Sequence, residues 1–379
     1  MKLLTPLGKA AFISIPRHLR VNTSQSSALV YSKILGRQIM AEGDGGDGRH
    51  QSPLVDVDCN LLHSDLMSVM DSISSIKFNK VPDALKILHH PSISHSNIIA
   101  IISPASTIEE SEKSVQLLES STDQQRNNVS AKTTVGVHPY HALEEGDPDV
   151  QISRIRALLD KQNSKQTISC VGETGLDYSE GFPEKEAQVP WFRAQLDLAW
   201  EYNLPIFLHE RLAFEDTLRC IDEAAEEHSG KTIPKIIVHC FTGSYNECVE
   251  YMKRGVYTSI AGGRASCGSD EVKKCLREGI IPMNRLMIET DAPYMGFSGN
   301  KDSFFDAEGE AFTSLSAKKK KRLKSNYPNV PSALPLVLEA VCDELNRGRK
   351  ERGEPELSLN ELAQITTKNA MSFFGLEEP

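Results

Sequence analysis

ISCVGETGLDY, residues 168–178, decides how the rest of this chain is read. It opens on apolar residues suited to a buried strand and runs into Glu173, a side chain that can bind a cation. Later stretches repeat the arrangement: PIFLHE (205–210) with His209, KIIVHCFTG (235–243) with His239, and LMIETDAPY (286–294) with Glu289 and Asp291. One buried His or Glu at a strand end is ordinary, because such groups are often hydrogen-bonded for structural reasons. Four strand ends in succession, all bearing residues of divalent-metal ligand type, point to a metal site.

Spacing turns the chemistry into a fold. Glu173 and His209 are 36 residues apart and His209 and His239 are 30 apart, each close to one strand–helix unit of roughly 30 residues. The 52 residues from His239 to Asp291 leave room for two units, and YTSIAG (257–262) supplies the strand between. Upstream, PLVDVDCN (53–60), NIIAIIS (97–103) and TTVGVHP (133–139) bring the apolar runs to eight. Helical patterns such as VPWFRAQLDLAWEY (189–202) and DEVKKCLREG (270–279) lie between them. Strands alternating with helices argue a parallel sheet. Eight repeats predict an α/β fold of the TIM-like (β/α)8 barrel type, in which residues at the carboxyl ends of the strands share one face. The alternative, an open doubly wound sheet, is disfavoured because no Gly-rich nucleotide loop follows the first strand.

Composition is that of an ordinary soluble globular protein. The 379 residues are 39% hydrophobic and 25% charged, and no apolar stretch approaches the roughly 18 residues of a membrane span. The eight cysteines contain no C-x-x-C pair, and Cys59, Cys170 and Cys240 fall in expected core strands. That pattern indicates a reducing compartment and neither a zinc ribbon nor a disulfide framework. A net charge of −10 argues against binding nucleic acid through bulk positive charge.

The N-terminus differs from the rest. The first 41 residues hold six basic side chains and no acid, leaving 36 basic against 52 acidic residues beyond them. This is either an organellar transit peptide or an uncleaved extension with Met40 as a second start. With the Gly-rich stretch AEGDGGDGRHQSP (41–53), it makes residues 1–53 an extension and linker and 54–379 the barrel domain. A cytoplasmic or nuclear location is expected, with a mitochondrial one as the alternative. At the other end, Ser358 and Glu361 form a capping box that opens a helix closed by Gly375, expected in the barrel's outer ring.

GVHP (136–139), GETGLDY (172–178), LPIFLHER (204–211), VHCFTG (238–243), IETDAPY (288–294) and TTKNAMSFFG (366–375) together resemble the TatD family of metal-dependent deoxyribonucleases, among the amidohydrolase-like barrels. The resemblance spans residues 54–375 and implies two divalent metal ions and hydrolysis of DNA phosphodiesters. It implies Glu173, His209, His239 and Asp291 as metal ligands, Glu173 bridging, with Glu173 and Asp291 catalytic and Asp291 taking the proton from the attacking water. Glu289, two residues before Asp291, is either a further ligand or a group orienting one.

Departures from the family pattern are informative. Where many members carry H-x-H on the first strand, this chain has Asp58 and Asn60. An oxygen-rich first site favours Mg or Mn, with Zn as the alternative. The family's C-R-D-A-H becomes ERLAF (210–214), keeping Arg211, and its R-N-E-P becomes SNYP (325–328), keeping Asn326.

Substrate contacts are expected from Arg211, whose guanidinium can hold two phosphate oxygens, from Asn326, and from His138, which either positions a phosphate or is a structural histidine. Lys318, Lys319, Lys320 and Lys321 belong to a run of six positive charges in seven positions, within a loop at 296–328. That run contacts the DNA backbone, directs nuclear import, or is a solvated loop. Asp177 should orient a neighbour or cap a turn, and the pair His89–His90 should be surface. Aromatic content of 6% argues against an extended base-stacking platform. The leading expectation is a metal-dependent deoxyribonuclease working on single strands or ends from the 3′ side, away from membranes. A D-aminoacyl-tRNA deacylase, a phosphotriesterase-like hydrolase and a non-catalytic nucleic-acid-binding protein are the alternatives.

Overall fold

The computed structural model describes residues 52–73, 80–161, 164–262 and 269–377. The basic N-terminal segment and nearly all of the Gly-rich linker lie outside the described residues. Eight strands form one sheet in sequence order: β1 (Leu54–Asp56), β2 (Ile98–Ser103), β3 (Ser130–Val135), β4 (Ile168–Asp177), β5 (Ile206–Arg211), β6 (Ile236–Val238), β7 (Tyr257–Ile260) and β8 (Leu286–Ile288). Every adjacent pair is parallel. The seam between β8 and β1 is closed just beyond the strands by a bridge between Cys59 and Ala292. There the Asn60 N–H donates to the Ala292 carbonyl at 2.8 Å and the Asp291 N–H to the Asp58 carbonyl at 2.9 Å. This is the barrel that the alternating runs predict.

Strands buried on both faces must be apolar on both, and these are. Outward side chains such as Ile206, Leu208 and Ile288 pack under the helices. Inward ones, including Val55, Ile102, Cys170, Phe207, Ile237 and Met287, form a separate interior cluster.

The C-terminal helix (Leu359–Phe374) begins at the Ser358–Glu361 capping box and ends at Gly375, whose φ is 61°. Its place differs from the outer-ring expectation in one respect. Ala370, Phe373 and Phe374 join the interior cluster, with the Phe374 ring 6.2 Å from that of Phe207. The helix therefore fills the barrel interior as well as covering it. Truncating such a ring costs about 3–5 kcal/mol.

The segment expected as a Lys-rich loop at 296–328 contains three short helices, Asp302–Glu308, Glu310–Thr313 and Ala317–Leu323. Buried Phe304, Phe305 and Phe312 hold it down, and Ser316 caps the lysine helix by accepting from the Lys319 N–H. The same excursion corrects the surface expectation for His90. That ring is fully buried, stacked on Phe304 at 3.7 Å, with Nε2 2.9 Å from Glu308.

Candidate metal centre

Alternation along the strands carries the interior positions out to the catalytic face. Side chains two apart share a face, so His209 follows Phe207, His239 follows Ile237, and Glu289 follows Met287. Glu173 gets there by another route. The pairing of β4 with β5 skips it, shifting register between Gly172 and Thr174, and such a bulge re-aims a side chain. Gly172 and Gly175 permit the distortion. Their φ values are 142° and 146°, and a Cβ would lie 2.4 Å from the Phe207 carbonyl oxygen and 1.9 Å from that of His209.

Glu173 Oε1 lies 3.3 Å from Nε2 of His138, 3.1 Å from Nδ1 of His209 and 2.8 Å from Nε2 of His239. On the far side of His239, Nδ1 is 3.0 Å from Asp58 Oδ2 and 3.7 Å from Glu289 Oε1. Among the described residues, two sets could hold a cation: His138, Glu173 and His209, and beside them Asp58, His239 and Glu289. His209 is fixed from behind, its Nε2 being 2.8 Å from Asp177 Oδ2. The other oxygen of Asp177 accepts from the Ser179 N–H at 2.8 Å, so this side chain both orients a neighbour and caps the turn.

Electrostatics show what the site lacks. Burial opposes ionisation of Glu173, but His138 and His239 beside it hold its carboxyl well below the usual range. Burial raises Asp58 well above that range, and Asp291 and Glu289 add to the effect. Burial likewise lifts Asp291 to about 8, with Glu289 and Glu173 adding. Against burial, Glu173, Asp58 and Glu289 raise His239 well above its ordinary value. Asp177 and Glu173 raise His209 against the same penalty, whereas burial lowers His138. Negative groups outnumber the imidazoles, and buried Asp58 and Asp291 resist ionising.

Unsatisfied atoms give the same answer. His239 Nδ1, Glu289 Oε1 and Asn60 Oδ1 are buried without a hydrogen bond in suitable geometry. Each such group costs on the order of 1–3 kcal/mol. A carboxylate–imidazole set short of positive charge, with orphaned donor atoms facing one another, fits divalent cations.

The other expected residues are distributed unevenly. Asp58, Asn60, His138, Arg211 and Asp291 line the same cavity of about 450 Å³. Asp291, with φ 51°, belongs to neither ligand set, whereas Glu289 and His138 do. Arg211 is exposed and makes no ion pair among the described residues. Asn326 and Lys318, Lys319, Lys320 and Lys321 do not line the cavity. Lys320 is engaged locally, donating to the Thr313 carbonyl at 2.6 Å.

Residues that the motifs did not single out complete the site. Asp56, beneath it, accepts from the Thr290 N–H at 2.9 Å and its hydroxyl at 2.6 Å, fixing the ETD turn. Tyr140, Phe182 and Tyr294 form part of the cavity wall. Asp56 lies between Val55 and Val57, both of the interior cluster, so strict alternation gives no signal for it; Tyr294 ends the IETDAPY motif, and the loops of Tyr140 and Phe182 give none.

A parallel (β/α)8 barrel with a carboxylate–imidazole cluster at its carboxyl face fits a metal-dependent hydrolase, and the family narrows this to one acting on ester bonds. The chain belongs to the TatD related DNase family, whose sequence profile matches residues 71–375. It is 31% identical over 245 residues to an uncharacterized metal-dependent hydrolase, YabD, of Bacillus subtilis, covering 64% of this chain and 76% of that one. It is 32% identical over 248 residues to the 3′-5′ ssDNA/RNA exonuclease TatD of Citrobacter rodentium, covering 64% and 77%. In fold it is similar to a TatD family hydrolase from Entamoeba histolytica, with a TM-score of 0.62 and 22% identity over 86% of this chain and 100% of that one.

Proposed function

We propose that this chain is a deoxyribonuclease that uses two divalent cations, Mg or Mn, to hydrolyse phosphodiester bonds in single-stranded DNA from the 3′ end. The observation that carries this reading is the contact of one carboxylate oxygen, Glu173 Oε1, with three imidazoles between two adjacent ligand sets. In the proposal Glu173 serves both sets, His138 and His209 complete one, and Asp58, His239 and Glu289 complete the other. Bound cations would activate water and stabilise charge on the phosphate oxygens.

The remaining residues divide the work. Asp291 lines the cavity outside both sets, where burial lifts its pKa to about 8 and a neighbouring cation would lower it. It is placed to take the proton of the attacking water. Arg211 on the cavity wall grips a phosphate through two nitrogens. Lys318, Lys319 and Lys321 sit away from the cavity and serve the trailing backbone, where each neutralised phosphate releases counterions.

The test is cleavage of a single-stranded oligonucleotide carrying the label at either end, with Mn²⁺. Mononucleotides should appear at once from a 3′ label and only late from a 5′ label. Internal fragments would make the enzyme an endonuclease. No cleavage of DNA together with turnover of D-aminoacyl-tRNA would move the assignment to the deacylase.

A further inference from the structure

We infer that the cavity mouth carries an aromatic clamp for unpaired nucleobases, made by Tyr140 and Phe182 on one wall and Tyr294 on the other. The inference rests on the phosphodiesterase reading above and assigns the residues that select single-stranded nucleic acid over duplex.

Topology sets the two walls opposite each other. Tyr140 follows β3 and Phe182 follows β4, while Tyr294 follows β8. In a barrel whose strands run in sequence order, β8 stands about half a turn from β3 and β4. All three rings line the cavity that contains Glu173, so a chain crossing the mouth passes between them.

The rings are poised with free faces. Tyr140 is 50% exposed and Tyr294 49%, a large apolar surface left in water. Tyr140 meets Phe182 edge to face, with centroids 5.4 Å apart at 82°. Phe182 lies nearly parallel to His209 at 6.4 Å. Across the mouth, the Tyr294 hydroxyl is 3.0 Å from His63 Nε2, and the two rings meet edge to face at 5.3 Å. These contacts leave about half of Tyr140 and of Tyr294 open to a partner, while Phe182 is already stacked on His209 and backs Tyr140.

An unpaired base is the ligand that fits. Its flat face stacks on an aromatic ring whatever the sequence, and such contacts need no hydrogen-bond code. Arg211 and the cation sets on the floor supply what the attached phosphate needs. A base pair keeps its faces inside the helical stack and cannot enter the clamp without unstacking. Three rings at the mouth suffice for a local clamp and need no extended stacking platform.

The full chain, loaded with Mn²⁺, is titrated into a single-stranded oligonucleotide with phosphorothioate linkages and 2-aminopurine near its 3′ end. Stacking should quench the fluorescence. Tyr140→Ala and Tyr294→Ala should each weaken binding roughly 5- to 100-fold and reduce the quenching. An oligonucleotide with abasic residues at the same positions should lose less than about 2-fold, because stacking is the only interaction removed. Melting curves check folding, and Tyr140→Leu serves if the alanine variant is unstable. Equal losses on abasic and normal strands, unchanged affinity in both variants, or no quenching by the native chain would overturn the clamp. Quenching and binding without any cleavage of an ordinary DNA strand would instead refute the nuclease reading while leaving the clamp intact.

Discussion

Asp58 Oδ2, just beyond β1, lies 3.0 Å from His239 Nδ1, just beyond β6. The contact is close but not in line with a hydrogen bond, since Nδ1 is left unsatisfied. The opposite nitrogen of the same ring is 2.8 Å from Glu173 Oε1. One imidazole thus stands between the two acids that would hold neighbouring cations.

Asp58→Asn should raise the Mn²⁺ concentration needed for half-maximal rate. Losing one charged oxygen from a site already short of imidazole should cost about 10- to 100-fold in metal affinity, within the range seen for groups supporting a metal. Calorimetric titration with Mn²⁺ reads the affinity directly. An unchanged titration removes Asp58 from the site.

Asp177→Asn tests orientation rather than ligation. Its carboxylate fixes the His209 ring from behind at 2.8 Å and supports charge on it. The amide should weaken Mn²⁺ binding by about 10-fold or more with the melting temperature of the metal-free protein little changed. A large drop in melting temperature with normal metal binding would make Asp177 purely structural.

Lys301 links pH to stability away from the site. It is 4% exposed, and burial lowers its pKa to about 8. The folded chain therefore binds this proton less readily than the unfolded chain does. Stability from this group is complete above the unfolded lysine value near 10.5 and is lost as pH falls through about 8. Lys301→Met should melt roughly 2 °C or more above the native chain at pH 7, and the gain should shrink by pH 10. Differential scanning calorimetry at both pH values decides it; an equal gain at both contradicts the assignment.

Much of this molecule is legible in its sequence because parallel barrel strands are buried on both faces. Runs such as IIAIIS and PIFL stay apolar throughout, so they stand out from the amphipathic helices between them. His209, His239 and Glu289 were readable for the same reason, each lying two residues beyond an inward apolar side chain. Glu173 depends on a bulge that only its flanking glycines hint at. From sequence His138 suits a phosphate contact or a structural role, because nothing local reveals that β3 brings its ring to Glu173. The surface expectation for His90 fails because its partners, Phe304 and Glu308, come from an excursion more than 200 residues later. The lysine run reads as a loop since charge repulsion opposes a helix, yet a Ser316 cap and buried phenylalanines nearby settle the segment otherwise.

The central claim is tested most directly by the rate at which the metal-stripped chain cleaves single-stranded DNA as Mn²⁺ is added back, measured beside Glu173→Gln. The account predicts no cleavage under chelator, recovery with Mn²⁺, and a variant slower by about 100-fold or more, as expected when a group shared by both cations is lost. Cleavage under chelator, or a Glu173→Gln variant at the native rate, would contradict it.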